Sequence, residues 1–247
     1  MILDAHCHLF ERFEYLEGLS IDQMIATMDE ANIGRAVLFT LAGLFKNYQR
    51  TNEEIAEQAA RYPDRFIPFA SVNPRDGDVA LREMERAVKE LGHRGIKLHP
   101  WNTSFLANSP CSLDVAKMGE RLGVPFIIHS GTPPNSSPLQ IAEMARSAPE
   151  TTFILAHMGL PDLWKEALSA ATRYPNILLE TAGTPSLAIR VAVERLGAQR
   201  VVYGSDMPFG SKCNVFFQIQ KIRDLGLPDN DLDLILGGNM ERLLSVK

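Results

Sequence analysis

The chain has 247 residues, of which 45% are hydrophobic and 22% charged, and its formal net charge is −5. This composition is ordinary for a globular protein, and the length suits one barrel of about 250 residues or two small domains. Without a long apolar run or a basic cluster, the sequence predicts no transmembrane helix and no nucleic-acid partner. The absence of a signal-peptide pattern and the three scattered cysteines predict a cytoplasmic protein.

Short apolar runs alternate with amphipathic segments along the chain. The predicted strands are residues 1–6, 36–40, 66–71, 95–99, 125–129, 153–157, 177–181 and 201–205. Helices are predicted after capping boxes at Ser20 with Gln23 and at Thr51 with Glu54, and over 78–91, 112–122, 138–147, 161–172, 185–196, 214–225 and 231–245.

Eight strands, each followed by helical sequence, predict parallel pairing through right-handed crossovers. The α/β pattern therefore predicts a single domain over residues 1–247, folded as a (β/α)8 TIM barrel. An open doubly wound sheet is the alternative. Such a sheet usually has a glycine-rich loop after its first strand, and this sequence has His6-Cys7-His8 there instead.

Five of the six histidines follow apolar runs. They are His6, His8, His99, His129 and His157, and Asp206 follows the last run in the same way. Carboxyl ends of parallel strands meet at one face of a barrel, so these side chains are expected to converge there. Strict alternation also predicts that Asp4 shares a face with His6 and His8. Imidazoles and a carboxylate suit a divalent metal ion, with zinc expected first and manganese as the alternative.

The motifs around these residues resemble the amidohydrolase superfamily. They are most similar to its amidohydrolase-related branch, which includes aminocarboxymuconate-semialdehyde decarboxylase and several lactonases. The motifs are Asp4-Ala5-His6-Cys7-His8, Gly95 to Pro100, Ile128 to Gly131, Leu155 to Gly159, Gly204 to Pro208 and Gly238 to Leu244. The resemblance implies that one divalent ion is bound by His6, His8, His129 and Asp206. His157 would stand beside the ion as a proton donor or substrate ligand.

Lys97 decides between one metal ion and two. It lies two residues before His99, so both side chains should face the barrel interior, with Lys97 one layer deeper. In binuclear members of the superfamily, a lysine on the fourth strand is carboxylated and bridges two ions, and His157 would then bind the second. Otherwise Lys97 is an ammonium that binds a substrate anion, or an amine paired with a carboxylate such as Glu180. We expect one ion, with Lys97 and His99 as substrate-binding residues.

Substrate contacts are also expected from the loops that follow the strands. The longest are 41–52 and 130–138, and the second offers several small hydrogen-bonding groups near His129. Trp101 and Phe209 are expected to pack rather than to line the pocket. The loops are short overall, which predicts a small-molecule substrate; a homo-oligomer is compatible with the sequence.

The reaction predicted first is hydrolysis of a small amide, lactone or ester by metal-activated water, with Asp206 as general base and then acid. Non-oxidative decarboxylation of a small carboxylic acid is the first alternative, with His157 or Asp206 moving protons at the substrate carbon. A TatD-like nuclease is disfavoured because Lys97 stands where those enzymes usually carry a glutamate, and because the net charge is acidic. A non-catalytic metal-binding barrel is disfavoured because buried acid–base groups are energetically costly and would have no function in such a protein.

Overall fold

The computed structural model describes residues 1–13, 16–40 and 47–245. The strands are β1 (Ile2–Phe13), β2 (Leu16–Leu19), β3 (Ile33–Thr40), β4 (Phe66–Pro68), β5 (Ala70–Ser71), β6 (Ile96–Leu98), β7 (Phe126–His129), β8 (Phe153–Ala156), β9 (Ile177–Glu180) and β10 (Val201–Val202). The helices are α1 (Ile21–Glu30), α2 (Tyr48–Arg61), α3 (Asp78–Lys89), α4 (Pro110–Leu122), α5 (Pro138–Ser147), α6 (Leu160–Arg173), α7 (Ser186–Leu196), α8 (Ser211–Arg223), α9 (Asp229–Asp233) and α10 (Asn239–Ser245). No helix within these ranges is long and apolar enough to cross a membrane.

The predicted strands form a closed parallel barrel. β1 pairs with β3 and β3 with β4, while β5 to β10 pair in chain order. β4 and β5 are two halves of the predicted strand 66–71, which changes neighbours at Phe69. The ring closes between β10 and β1, where Ala5 N–H donates to Tyr203 O at 3.0 Å and His8 N–H donates to Met207 O at 2.7 Å.

Apolar side chains fill the inside of the barrel and the layer between strands and helices. The inner cluster includes Leu3, Val37, Phe39 and Ile127, and Met240 of α10 packs against it. Intervening strand residues belong to the outer cluster, which the helices cover. Burial on both faces explains why the strands are short, nearly continuous apolar runs in the sequence.

Two helix boundaries test the capping predictions. The Ser20 capping box is present: Ser20 Oγ accepts from Gln23 N–H at 3.3 Å, and Gln23 Oε1 accepts from Ser20 N–H at 2.9 Å. The second prediction is wrong, because α2 begins at Tyr48 with Asn47 as its N-cap, and Thr51 lies within the first turn. The predicted helix 231–245 is interrupted by a π-helical segment at Leu234–Gly238.

β1 is longer than the predicted strand 1–6. Beyond the barrel it pairs with β2 in an antiparallel hairpin, in which Phe10 lies opposite Leu19. Phe10 also packs with Leu16 and with Phe209 from the loop after β10. His6 and His8 therefore lie within a strand rather than at its end.

Candidate metal centre

His6 and His8 face the barrel interior because β1 is irregular just before them. The pairing of β1 with β3 shifts register between Asp4 and Cys7. Ala5 belongs to the inner cluster and Cys7 to the outer one, so the alternation changes phase between them. The two imidazoles consequently point inward, with their Nε2 atoms 3.2 Å apart. The prediction that Asp4 shares their face is wrong, because it assumed unbroken alternation.

Asp4 instead ties β1 to the loop after β10. Its Oδ1 accepts hydrogen bonds from the backbone N–H groups of His6 and Ser205, each at 3.0 Å. Burial raises the pKa of Asp4 to about 6. Asp206 follows with a φ of 62°, a left-handed conformation that few non-glycine residues adopt. Asp4 thus helps to fix the turn that presents Asp206.

Three predicted ligands converge at the carboxyl end of the barrel. Asp206 Oδ1 lies 3.1 Å from His6 Nε2 and 3.3 Å from His8 Nε2. His6 is fully buried and His8 nearly so, whereas 24% of the Asp206 side chain is exposed. The donor atoms of these residues lie within 4.8 Å of one another, as the ligands of a single ion must.

His129, the fourth predicted ligand, lies beside this group rather than within it. Its ring is stacked on His99, with centroids 4.0 Å apart and an interplanar angle of 11°. Its Nε2 atom is buried and has no hydrogen-bond partner among the residues that the structure describes. A buried, unpaired ring nitrogen is unfavourable unless it has a ligand. The donor set of His6, His8 and Asp206 fits a divalent ion, and the unpaired Nε2 atom of His129 is a candidate for a further ligand.

Lys97 reaches the same cluster from one layer below. Its neighbours Ile96 and Leu98 belong to the outer cluster, so Lys97 points into the barrel as predicted. The fully buried amine lies 2.9 Å from His6 Nε2 and 4.6 Å from the centroid of the Phe39 ring. Burial lowers the pKa of Lys97 to about 8.

The buried imidazoles are held in their neutral form, which metal ligation requires. Burial, and after it the nearby charge of Lys97, holds the pKa of His6 and of His8 well below the usual value. The pKa of His129 is also well below that value, through burial and then its neighbour His99. Burial raises the pKa of Asp206.

His157 lies in a strained turn directly after β8. Its φ is 65°, and its ring centroid lies 4.9 Å from that of His6 and 4.8 Å from that of His129. His157 Nδ1 lies 3.1 Å from Ala182 O. Because a carbonyl oxygen only accepts, Nδ1 carries the proton and Nε2 keeps its lone pair.

Glu180 is the site residue that sequence reasoning missed, because it was considered only as a partner for Lys97. Its side chain is fully buried at the end of β9. Its Oε2 atom lies 3.1 Å from His6 Nδ1 and 2.8 Å from the His157 backbone nitrogen. The signal was present in the sequence, since Glu180 ends an apolar run in the same way as the strand-end histidines.

Two aromatic residues near the site differ in their surroundings. Phe209 packs as expected, with its ring centroid 5.5 Å from that of His8. The packing prediction for Trp101 is wrong: 57% of this residue is exposed, and its ring lies 6.2 Å from that of His99. The rings of His129, His99 and Trp101 thus follow one another from the group of candidate metal ligands to the protein surface.

The predicted substrate loops contribute less than expected. In the loop 130–138, Thr132 Oγ1 and Ser136 Oγ hydrogen-bond each other at 2.8 Å, and Asn135 Nδ2 donates to Phe105 O at 2.9 Å. These groups therefore hold the loop together. Of the predicted loop 41–52, residues 41–46 lie outside the described residues, and most of the remainder forms the start of α2.

Comparisons with known proteins agree with the barrel fold. A gamma-resorcylate decarboxylase from Polaromonas sp. (strain JS666) is 24% identical in an alignment that covers 95% of this chain and 86% of the relative. The structure of a 2,6-dihydroxybenzoate decarboxylase complexed with 2,6-dihydroxybenzoate matches with a TM-score of 0.80 and 20% identity, covering 99% of each chain. A dihydroxybenzoic acid decarboxylase from Polaromonas sp. JS666, with bound manganese and the inhibitor 2-nitroresorcinol, matches with a TM-score of 0.78 and 19% identity. That match covers 99% of this chain and 97% of the other.

The family is settled by the sequence itself. The family profile described as Amidohydrolase (Amidohydro_2) matches residues 3–246, which confirms the resemblance inferred from the motifs. The chain belongs to the amidohydrolase family.

Proposed function

We propose that this protein is a metal-dependent decarboxylase of a small aromatic carboxylic acid of the hydroxybenzoate type. The observation that carries the proposal is the alignment of 95% of the chain with a gamma-resorcylate decarboxylase. The buried cluster of His6, His8 and Asp206 supplies the metal-type site that such a reaction needs. The relatives thus support the decarboxylase alternative better than the hydrolysis of an amide, lactone or ester that the sequence analysis placed first.

The proposed centre holds one divalent ion, bound by His6, His8, His129 and Asp206. When bound, the ion supplies positive charge that orients the anionic oxygens of the substrate. Manganese is the first metal to test, because a structural relative contains it, and zinc is the second. In this proposal Lys97 remains an unmodified amine.

In this proposal Lys97 binds the carboxylate group of the substrate. Its fully buried amine lies beside the ligand cluster, 2.9 Å from His6 Nε2. A carboxylate beside this ammonium would make a charge-assisted hydrogen bond, which is stronger than a neutral one. His99 and the exposed Trp101 are assigned to the ring of the substrate, because their own rings continue the series from His129 towards the surface.

His157 and Asp206 are assigned the proton transfers. His157 Nε2 has a free lone pair and can accept the proton of a phenolic hydroxyl group beside the carboxylate. The carboxylate leaves as carbon dioxide, and the electron pair of the broken C–C bond remains on the ring carbon. That carbon takes a proton from Asp206 in its acid form, and the partly exposed side chain of Asp206 is then reprotonated from solvent. His157 returns its proton to the phenolate oxygen of the product.

The test is a substrate panel on protein stripped with a chelator and reloaded with Mn²⁺ or Zn²⁺. The panel contains 2,6-dihydroxybenzoate, 2-hydroxybenzoate and unsubstituted benzoate, together with a lactone, an ester and an amide. We expect metal-dependent release of carbon dioxide from the hydroxybenzoates. In D₂O the product should carry one deuterium on the carbon that lost the carboxylate. Turnover of the lactone, ester or amide without release of carbon dioxide from any acid would overturn the proposal.

A further inference from the structure

We propose that Glu180 is a positioning residue that holds two different histidines of the centre through one carboxylate oxygen. It fixes His6 in the tautomer that can bind a metal ion, and it fixes His157 in the orientation required for proton transfer. The part that concerns His6 needs only a metal site, whereas the part that concerns His157 rests on the proposed function.

The contacts of Glu180 are all with hydrogen-bond donors. Oε2 accepts from the backbone N–H of His157 at 2.8 Å and lies 3.1 Å from His6 Nδ1. Because an ionised carboxylate can only accept, Nδ1 carries the proton of this second contact. Oε1 accepts from the backbone N–H of Ala182. A fully buried carboxylate is costly unless donors surround it, and three donors do so here.

For His6 the consequence is a fixed tautomer. With Nδ1–H donated to Glu180, the imidazole presents the lone pair of Nε2 to the centre. That atom lies 3.2 Å from His8 Nε2 and 3.1 Å from Asp206 Oδ1. Histidine ligands typically donate their second ring N–H to a carboxylate or carbonyl group, which orients the ring and increases the basicity of the ligand.

For His157 the consequence is a fixed backbone. This residue has a left-handed φ of 65°, which is strained for a side chain of its size and must be held by its surroundings. Glu180 Oε2 holds its backbone N–H, and Ala182 O receives its ring N–H. Because Ala182 N–H is in turn bound by Glu180 Oε1, both ends of His157 depend on this carboxylate.

Gly204 supplies the space that Glu180 occupies. A Cβ atom at position 204 would lie 2.2 Å from Glu180 Oε1 and 2.9 Å from His6 Cβ. Contacts this short would force the carboxylate to move. The variant Gly204→Ala therefore keeps the charge of Glu180 but displaces its carboxylate, and it also crowds His6, so it serves as a companion to the replacement of Glu180.

The experiment compares Glu180→Gln and Gly204→Ala with the matched control Glu83→Gln. Glu83 is also a buried glutamate, and it binds Asn52 and Arg86 between α2 and α3, away from the centre. In Glu180→Gln the amide NH₂ would face a backbone N–H, so at least one donor loses its partner. The first measurement is Mn²⁺ affinity by competition with a chelator. The second is the tautomer of His6, from ¹⁵N shifts of labelled histidine in metal-free protein.

We expect Glu180→Gln to weaken Mn²⁺ binding about 10–100-fold, the usual effect of losing a partner of a ligating histidine. The ¹⁵N spectrum should show His6 losing its single Nδ1–H tautomer. Gly204→Ala should change both quantities in the same direction. Glu83→Gln should lower the free energy of unfolding but leave Mn²⁺ affinity and the His6 tautomer unchanged.

A folded Glu180→Gln protein with wild-type Mn²⁺ affinity and an unchanged His6 tautomer would overturn the proposal. Neither measurement uses a substrate, so a failure to find decarboxylase activity does not affect them. If activity is found, kcat at saturating Mn²⁺ tests the role of His157: it should stay below the wild-type value in Glu180→Gln. Full recovery of kcat by added metal would refute the role of Glu180 at His157.

Discussion

Replacing Lys97 with methionine should change metal binding and substrate use in opposite directions. Methionine has nearly the same length and shape, so it can fill the fully buried space of Lys97 without its charge. The amine lies 2.9 Å from His6 Nε2, an atom assigned to the metal ion. Its loss should therefore relieve repulsion of a divalent ion and remove the partner of the substrate carboxylate.

The expected magnitudes follow from the charges involved. Two unit charges 4 Å apart interact by about 4 kcal/mol at an effective dielectric constant of about 20, and a divalent ion doubles this energy. Even a fifth of that repulsion exceeds the roughly 1.4 kcal/mol that corresponds to a tenfold change, so Mn²⁺ should bind at least about tenfold more tightly. A hydrogen bond to a charged group contributes about 1.5–3 kcal/mol, so kcat/KM should fall about 10–150-fold.

The assay measures Mn²⁺ affinity by chelator competition and kcat/KM for 2,6-dihydroxybenzoate. Lys221→Met is the matched control, because Lys221 is also buried but donates to Thr181 O and Thr184 O, at 3.0 and 2.9 Å. That variant should lose stability without binding Mn²⁺ more tightly. Loss of metal binding in Lys97→Met would refute the reasoning and favour a carboxylated, bridging Lys97. An unchanged kcat/KM would refute its role in substrate binding.

Three further outcomes are expected. Asp206→Asn should lower kcat by about 10²–10⁴-fold, the usual contribution of a general acid, and a retained kcat at saturating Mn²⁺ would remove Asp206 from proton transfer. Trp101→Ala should raise KM for hydroxybenzoates by about tenfold, which corresponds to the loss of one stacking contact with an aromatic ring, and should leave Mn²⁺ affinity unchanged. An unchanged KM would argue against ring recognition by Trp101. Burial lowers the pKa of His93 to about 4, so this fully buried imidazole is neutral in the folded state, whereas the unfolded chain takes up a proton near pH 6.5. The stability that the neutral imidazole contributes is therefore complete above pH 6.5 and is lost as the pH falls towards 4. Urea titrations with chelator should show the wild-type free energy of unfolding falling by about 3 kcal/mol relative to that of His93→Gln over this range. Parallel plots of unfolding free energy against pH for the two proteins would contradict this.

Much of the fold followed from the sequence because buried parallel strands and amphipathic helices leave local patterns. The bounds of α5 were predicted to the residue, since Pro138 opens the helix and its apolar periodicity is regular. The placement of the histidines and Asp206 at one face could also be predicted from the sequence, because the carboxyl ends of parallel strands meet at one face of a barrel. The end of β1 did not follow, since the hairpin partner β2 lies in a segment without a strong apolar pattern.

The sequence by itself determined the barrel and the family, and it indicated which residues could bind a metal ion, because each depends on residue types at regular spacing. The tertiary structure decided which atoms meet. The register shift in β1 turns His6 and His8 inward, and Glu180 reaches both His6 and His157 only because β8, β9 and β10 bring Gly204 and these residues together. Contacts between residues 174 positions apart, such as His6 with Glu180, arise from chain closure and leave no local periodic signal.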